Sequence, residues 1–225
     1  LRERANELMG RDLAYACVCT RAEVRAAISA PHGDGTETRY PGTCRGRYPS
    51  TEVARQESGR EPALRFHTPD TLVRITDHLV GDVNLSPHRD LGDFPITSRD
   101  GQVAYHLAVV LDDAHQGVTE VLRGDDLLPS CGPQALLQDA LGLPRPDWIH
   151  VPLVQGADGV RLAKRTDGLS LRTLREAGVD PRHLVRWLAI TCGIRDRGPL
   201  YPLEALPSYD LNLLSGSALR LPVDI

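Results

Sequence analysis

Three cysteines near the start of the chain have the spacing of a metal site. Cys17 and Cys19 are separated by a single residue, and Cys44 returns 25 residues later, after a loop rich in Gly, Pro, Asp and Thr. Three thiolates from a strand turn and a loop suit a tetrahedral, sulfur-preferring ion, for which zinc is the usual occupant. Two intervening residues, His32 and Tyr40, are candidates for the fourth ligand, and imidazole is the commoner ligand type. The alternative is that these are three buried free cysteines.

A second group of residues could bind a carboxylate. Tyr105 begins one predicted apolar strand, and Arg123 ends the next. In an open α/β sheet, ligands collect at the carboxyl ends of the strands, so Arg123 is expected to meet an anion there. Its guanidinium can hold a carboxylate with two parallel hydrogen bonds, which fix orientation as well as charge. The alternative is that Arg123 pairs with Asp125 or Asp126 and only caps the strand.

The third candidate is a cationic loop. Residues 157–168 read ADGVRLAKRTDG and place Arg161, Lys164 and Arg165 between glycines after a strand. Such a loop could close over a polyphosphate and stabilise the charge that grows on its phosphates. The alternative is a solvated surface hairpin.

Other polar residues show no comparable pattern. Asp112 and Asp113 follow a predicted strand, where adjacent carboxylates more often cap a turn than bind a metal. No spacing typical of a catalytic triad or a metal site links His78, His88, His106 and His115.

The elements that must position the cysteines can be read from periodicity. Apolar residues at helical spacing predict a helix over residues 1–10, and residues 13–18 are strand-like. Thr20 and Glu23 form a capping-box pattern, which predicts a helix over residues 20–29. The first two cysteines therefore lie at the end of a short strand.

The rest of the chain reads as an alternation of strands and helices. Short strands in a polar setting cover residues 63–97, and residues 104–111, AYHLAVVL, are a nearly continuous apolar run of the kind buried on both faces of a sheet. The remaining predicted elements are a strand at 117–122, a helix at 133–141, a strand at 148–154 and two helices after Ser170. This order predicts an α/β fold with a mostly parallel sheet and helices on its faces.

Composition limits the class of protein. The 225 residues are 41% hydrophobic and 25% charged, with a net charge of −4, which fits a globular unit with a real core. No basic excess indicates a nucleic-acid binder, and no run approaches the ~18–20 apolar residues that cross a bilayer. Because the five cysteines do not suggest a disulfide framework, we expect a cytoplasmic protein without a membrane partner.

Three segments carry a resemblance to a known family. The chain resembles the glutamyl-tRNA synthetase group of class I aminoacyl-tRNA synthetases in three segments. These segments are residues 13–24 (LAYACVCTRAEV), 104–154 (AYHLAVVLDDAHQGVTEVLRGDDLLPSCGPQALLQDALGLPRPDWIHVPLV) and 161–165 (RLAKR). They are similar, in order, to the segment that leaves the group's first half-fold, to its second half-fold and to its KMSKS-type ATP loop. The resemblance implies a Rossmann-like parallel sheet with a zinc-binding insertion and a short C-terminal helical region that contacts the tRNA stem.

Two features narrow the resemblance to the glutamyl-Q tRNA(Asp) synthetases. That family carries Cys-x-Cys followed by Tyr-x-x-x-Cys, which matches Cys17, Cys19, Tyr40 and Cys44. The match implies that Tyr40, rather than His32, is the fourth zinc ligand. Only about 60 residues follow RLAKR, too few for the helical anticodon-binding region of an ordinary glutamyl-tRNA synthetase.

The resemblance also implies a reaction and the residues that perform it. Glutamate would be activated by ATP with Mg²⁺ and transferred to the queuosine base of tRNA(Asp), by a monomer. Tyr105 and Arg123 are implied to contact glutamate. Lys164 is implied to contact ATP and to stabilise charge near the α-phosphate. The full implied ATP loop is Arg161, Leu162, Ala163, Lys164 and Arg165, with Ala163 where a serine is typical.

The resemblance divides the chain into four regions. These are residues 1–62 (end of the first half-fold with the zinc loop), 63–103 (a connecting insertion), 104–165 (second half of the catalytic fold with the ATP loop) and 166–225 (a short helical C-terminal region). The family's HIGH-type motif has no counterpart, so we expect an N-terminally truncated fragment that binds zinc but does not activate glutamate alone. Rival interpretations are a fragment of an ordinary glutamyl-tRNA synthetase and a non-catalytic, zinc-containing tRNA-binding paralogue.

Overall fold

The first three elements of the computed structural model follow the predicted order. The structure describes residues 1–29, 39–155, 170–194, 198, 209–210, 213–214 and 219–220. Helix α1 (Arg2–Gly10) leads into strand β1 (Ala14–Cys17), whose four residues are all buried. Helix α2 (Arg21–Ser29) follows, and its capping box is formed: the Glu23 backbone N–H donates to Thr20 Oγ1, and the Thr20 N–H donates to Glu23 Oε2. All three predictions are confirmed.

The chain divides into two compact units by its internal contacts. The first consists of Leu1–Thr76, Asp82–Val121 and Leu128–Trp148, and the second of Asp77–Gly81, Leu122–Leu127 and Ile149–Ile225.

In the first unit, strand β1 pairs antiparallel with strand β2 (Ala63–Phe66), so that Cys17 lies opposite Ala63. Helix α3 (Thr51–Ser58), which the sequence analysis did not predict, precedes β2 and begins at Ser50, whose hydroxyl accepts from the Val53 N–H. An isolated pair of antiparallel strands is only marginally stable in water, and here the pair is stabilised by the burial of β1 on both faces.

Four further strands form one sheet in the order β4-β3-β6-β5. They are β3 (Val73–Asp77), β4 (Gly81–Leu85), β5 (Glu120–Gly124) and β6 (Asp147–Val151), and the short helix α4 (Pro87–Asp90) follows β4. Only residues 78–80 separate β3 from β4, so these two strands form a hairpin and run antiparallel. The predicted strands at 117–122 and 148–154 are confirmed, but the sheet is not parallel throughout.

The largest departure from the sequence prediction lies at residues 104–111. They form the start of helix α5 (Tyr105–Gln116), not a strand. Leu107, Val110 and Leu111 are buried and have the i, i+3, i+4 spacing of one helix face. Periodicity cannot separate a short apolar run in a buried strand from one in a buried helix, and here the helix continues through the polar residues that follow. Asp112 and Asp113 therefore lie inside a helix rather than after a strand.

Helix α5 packs beside helix α6 (Cys131–Leu141), which confirms the predicted helix at 133–141, and a 3₁₀ turn (Asp125–Ser130) precedes α6. Left-handed glycines, Gly117 and Gly142, end the two helices. The core that α1, β2, α5 and α6 share consists of Ala5, Leu8, Ala14, Leu64, Phe66, Phe94, Ile96, Leu107, Val110, Leu111, Leu137 and Leu141.

The second unit holds the two predicted C-terminal helices. Helix α7 (Leu171–Glu176) begins with a Ser170 capping box, and helix α8 (Pro181–Thr191) begins at Asp180, whose carboxylate accepts from the Arg182 N–H. Strand β7 (Val154–Gln155) pairs in parallel with strand β8 (Leu219–Arg220). Across the described parts of both units, no helix combines the length and apolar character needed to span a membrane.

One glycine, Gly92, allows the backbone of the loop that carries Tyr40 to pack closely against it. Gly92 has φ 68° and forms an isolated bridge with Tyr40. A Cβ on Gly92 would lie 2.6 Å from the Tyr40 carbonyl oxygen and 3.1 Å from its backbone nitrogen. Only glycine combines this backbone conformation with such a close contact between two main chains.

We therefore expect Gly92→Ala to destabilise the protein more than Gly46→Ala. Gly46 has the same φ of 68°, but nothing lies within 4 Å of a Cβ built there. Both substitutions carry the left-handed strain of roughly 1–2 kcal/mol, and only the first also displaces the backbone of Tyr40. The free energies of unfolding in urea measure the difference. Equal losses in the two variants would mean that the Tyr40–Gly92 contact contributes nothing.

Candidate metal centre and substrate site

The four residues of the predicted metal site lie together in the first unit. The Tyr40 hydroxyl is 3.3 Å from Cys17 Sγ and 3.5 Å from Cys19 Sγ, and Cys19 Sγ is 3.5 Å from Cys44 Sγ. The three sulfur atoms all lie within 4.8 Å of one another. Cys17, Tyr40 and Cys44 are buried, and Cys19 is partly exposed. This cysteine cluster can hold a metal ion.

The donor atoms lie about as far apart as the ligands of a small tetrahedral ion. Zinc bonds of ~2.3 Å to sulfur and ~2.0–2.2 Å to oxygen correspond to ligand–ligand edges of roughly 3.4–3.8 Å. Three of the edges, at 3.3, 3.5 and 3.5 Å, lie at or just below the short end of this range. Thiolates select soft or borderline ions over magnesium and calcium. His32, the other candidate ligand, lies outside the described residues.

Arg65 stands beside the metal cluster. Its Nε donates to Cys17 Sγ at 3.3 Å, and its guanidinium carbon lies 3.8 Å from the centre of the Tyr40 ring. Burial disfavours the thiolate of Cys17, but the Tyr40 hydrogen bond, the Cys19 backbone and Arg65 outweigh it and lower the pKa of Cys17. Burial and the neighbouring thiolates instead raise the pKa of Cys19 to about 11. One positive side chain thus compensates part of the negative charge that three thiolates would bring.

A buried carboxylate holds the loop of the metal cluster in place. Asp93 accepts the Tyr15 hydroxyl at 2.5 Å, the Thr68 backbone N–H at 2.9 Å and two hydrogen bonds from Arg45, at 2.6 and 2.9 Å. Arg45 follows Cys44 directly. Burial would raise the pKa of Asp93, and the hydrogen bonds from Arg45, Tyr15 and Thr68 outweigh it and lower the pKa. The side chain of Asp93 is completely buried, whereas that of Arg45 is 38% exposed.

Arg123, the predicted carboxylate-binding residue, lies in strand β5 next to its last residue. Its Nε donates to His150 Nε2 at 3.0 Å, and His150 Nδ1 lies 2.6 Å from Asp77 Oδ2. Neither His150 nor Asp77 was predicted from the sequence. The available signal was the stretch WIHV, in which a histidine lies among apolar residues of a strand, where a buried imidazole must find hydrogen-bond partners.

Tyr105 is the first residue of helix α5, in the first unit, and not the first residue of a strand. Its side chain is 52% exposed, and its ring lies 5.4 Å from the ring of His106. The ATP loop predicted from Arg161, Leu162, Ala163, Lys164 and Arg165 lies outside the described residues. The structure therefore brings together the metal ligands and places His150 against Arg123, with Asp77 bonded to the far side of the His150 ring.

The family of the chain is shown by comparison with known proteins. Residues 1–197 match the family described as tRNA synthetases class I (E and Q), catalytic domain. The chain belongs to this family, and the α/β class that was predicted is confirmed, with a mixed sheet in place of a mostly parallel one.

Its relatives narrow the likeness within the family. The chain is 42% identical to the glutamyl-Q tRNA(Asp) synthetase of Symbiobacterium thermophilum over 99% of its own length and 69% of that protein. It is 40% identical to the protein of the same name from Nitratidesulfovibrio vulgaris, over 94% of the chain and 65% of that protein. The chain thus spans about two thirds of the length of these relatives.

A solved structure shares the fold. The glutamate tRNA ligase from Elizabethkingia meningosepticum, solved in complex with its amino acid, superposes with a TM-score of 0.76. The match covers 99% of this chain and 51% of that one at 23% identity, which supports the fold alone.

We predict that Asp93→Asn will cost about 1.5–3 kcal/mol of stability near pH 7, the range for hydrogen bonds to a buried charged group. The folded-state pKa of Asp93 is lowered, so its stabilisation is present above the unfolded value of ~3.9 and is lost as pH falls through the folded value. The difference between the variant and the parent should therefore shrink below about pH 4, measured by urea unfolding at several pH values.

Asp82→Asn is the matched control for this prediction. Asp82 also pairs with an arginine, Arg74, but their side chains are 54% and 72% exposed, and water screens such pairs. The Asp82→Asn substitution should therefore change the free energy of unfolding little at any pH. A pH-independent loss in Asp93→Asn would contradict the assigned role of its charge.

Proposed function

We propose that this protein activates glutamate with ATP and transfers it to the queuosine base of tRNA(Asp). The observation that carries the proposal is the 42% identity, along 99% of the chain, to a relative named for that reaction. The assembled Cys17, Cys19, Tyr40 and Cys44 cluster gives it separate support, because this ligand pattern is the one that the resemblance to the glutamyl-Q tRNA(Asp) synthetases implied.

In this proposal Arg123 and Tyr105 bind glutamate. A guanidinium can hold a carboxylate of glutamate by two parallel hydrogen bonds and so orient the amino acid, whose α-carboxylate would attack the α-phosphate of ATP and displace pyrophosphate. The position of Arg123 near the carboxyl end of β5 supports this role, since ligands of α/β sheets collect at such ends. Magnesium would accompany ATP and neutralise phosphate charge.

Lys164 is proposed to contact ATP within the loop Arg161, Leu162, Ala163, Lys164 and Arg165. It is the only lysine in the sequence, although lysine and arginine together number 26. The lysine ammonium is a compact positive charge with three N–H donors that can rotate, whereas the arginine guanidinium is planar and holds its N–H donors in a fixed arrangement. A lone lysine in a chain that otherwise uses arginine supports a site where a point charge near phosphate is needed.

The metal in the cysteine cluster is proposed to be zinc, with Tyr40 as the fourth ligand. Four protein ligands leave no open position, which is the mark of a structural rather than a catalytic site. The ion would join the end of β1 to the loop at residues 40–44. We further propose that the protein acts as a cytoplasmic monomer.

An ordinary glutamate–tRNA ligase is the second candidate function. The chain is 37% identical to glutamate–tRNA ligase 1 of Methylococcus capsulatus over 95% of its length and 46% of that protein. The two functions differ in acceptor and in the need for tRNA during activation, because ordinary glutamyl-tRNA synthetases activate glutamate only with tRNA bound.

The discriminating experiment is ATP–pyrophosphate exchange by the full-length protein with glutamate and no tRNA. We expect exchange without tRNA, followed by transfer to tRNA(Asp) that carries queuosine and not to tRNA(Asp) that lacks it. Exchange that requires tRNA(Glu), with charging of that tRNA, would establish the second candidate instead.

Replacement of the lysine should affect the same assay strongly. Lys164→Ala is expected to slow exchange by ~100-fold or more, the scale of losing one key electrostatic contact. Lys164→Arg keeps the charge but changes its geometry and should lose less. ATP should also protect the Lys164 amine from acylation. A near-normal rate in Lys164→Ala would show that RLAKR is not the ATP loop.

Zinc content tests the proposed metal site. Cys44→Ser should lose stoichiometric zinc, measured by elemental analysis, and should unfold more easily because metal binding is coupled to folding. Cys192→Ser, at the end of helix α8, removes a thiol outside the cluster and should leave zinc unchanged. Full zinc content in Cys44→Ser would remove the proposed site.

A further inference from the structure

Asp77, His150 and Arg123 form a chain of two hydrogen bonds within the second unit, and we call this chain the line. The side chains of Asp77 and His150 are completely buried. Both ring nitrogens of His150 are used: Nδ1 is 2.6 Å from Asp77 Oδ2, and Nε2 is 3.0 Å from Arg123 Nε. Polar atoms buried this deeply are costly without partners, so the line is a built feature of the fold.

The chemistry of the partners determines where the imidazole carries its proton. The Nε–H of an arginine can only donate, so His150 Nε2 must present a lone pair to Arg123. The ring proton is then on Nδ1 and is donated to Asp77. A single tautomer satisfies both contacts, and the opposite one would set two donors against each other.

Asp77 is itself held by the backbone. Its Oδ1 accepts from the N–H groups of Leu79 and Val80, each at 2.9 Å, and from the His150 N–H at 3.3 Å. Burial would raise the pKa of Asp77, and the hydrogen bonds from Val80, His150 and Leu79 outweigh it and lower the pKa. The turn between β3 and β4 thus holds an anion whose second oxygen faces the imidazole.

We propose that Asp77 and His150 are positioning residues that fix the plane of the Arg123 guanidinium for the carboxylate of glutamate. The inference rests on the proposed function, in which Arg123 contacts glutamate. A two-pronged hydrogen bond to a carboxylate depends on the orientation of the guanidinium plane, and an arginine side chain has many rotamers. Nε is the atom where the planar guanidinium begins. A hydrogen bond from Nε to His150, which lies on the neighbouring strand β6, therefore restricts the rotation of the guanidinium plane.

Asp77→Asn tests the line with little change in shape. The amide oxygen can still accept from Leu79 and Val80, but the amide NH₂ now faces His150 Nδ1 as a donor. The ring proton must move to Nε2, where it opposes the Arg123 Nε–H. In ATP–pyrophosphate exchange by the full-length protein, we expect the KM for glutamate to rise about 10- to 100-fold, the same scale as when a metal ligand loses the residue that orients it. The KM for ATP should stay unchanged.

A second pair of variants keeps the test valid if Asp77→Asn folds poorly. His150→Gln retains an oxygen that can accept from Arg123 and should preserve part of the glutamate affinity, whereas His150→Leu should lose it. His88→Leu is the matched control, because His88 also bonds an arginine, Arg39, at 2.6 Å but lies in the first unit. It should leave the KM for glutamate unchanged.

Nitrogen-15 NMR of the His150 ring tests the assigned tautomer directly, and the KM for glutamate set against the KM for ATP tests the positioning role. The parent should show the Nδ1–H tautomer, and Asp77→Asn should show Nε2–H. An Nε2–H tautomer in the parent protein would overturn the line of hydrogen bonds.

Arg123→Ala separates this inference from the proposed function. If Arg123→Ala leaves the KM for glutamate unchanged, the glutamate role of Arg123 fails, and the positioning role fails with it. If Arg123→Ala raises that KM while folded Asp77→Asn and His150→Leu do not, the positioning role alone is overturned. A fall in kcat with equal changes in both KM values would likewise assign Asp77 and His150 to stability rather than to positioning.

Discussion

The geometry of the metal cluster depends on one buried carboxylate. Asp93 receives hydrogen bonds from strand β1 through Tyr15, from the residue after Cys44 through Arg45, and from the chain beyond β2 through Thr68. These segments are far apart in sequence, and a carboxylate with four acceptor positions can join all of them at once. Removing this charged acceptor would leave the buried Tyr15 hydroxyl and the buried Thr68 N–H without their partner, which is costly in the interior of a protein.

Elsewhere in the first unit, arginine side chains join distant segments by donating hydrogen bonds to backbone carbonyls. Arg2 donates to the Gly101 carbonyl, Arg99 to the Val18 carbonyl, and Arg65 to the Asp93 carbonyl while it also contacts Cys17. Five N–H donors in a rigid fork let one side chain satisfy carbonyls that no strand or helix satisfies. The preference for arginine over lysine therefore has a structural use, and Lys164 departs from it.

Local signals predicted local structure well. The capping box of Thr20 and Glu23, the helix over 1–10 and the strand that delivers Cys17 are all present. The error at 104–111 came from an apolar run that fits either a buried strand or a buried helix, a choice that packing against α6 decides and periodicity does not. The Asp77–His150 pair could not be found in the same way, because it joins residues 73 positions apart. The clustering of Cys17, Cys19, Tyr40 and Cys44 was accessible only through a motif, and the four domain boundaries remain predictions.

The way in which the loop is anchored has a consequence for how it can evolve. Tyr40 contacts Gly92, and the residue after Cys44 is bonded to Asp93, so both ends of the segment from Tyr40 to Cys44 are held by other parts of the chain. Closing a loop becomes only ~0.6 kcal/mol less favourable for each doubling of its length. A change in chain length between Cys19 and Tyr40 that leaves helix α2 intact should therefore affect stability little, whereas a single inserted residue between Tyr40 and Cys44 would shift a metal ligand relative to its anchor. On this argument, a stretch whose length is free to vary lies directly beside one whose spacing is fixed by the metal ligands.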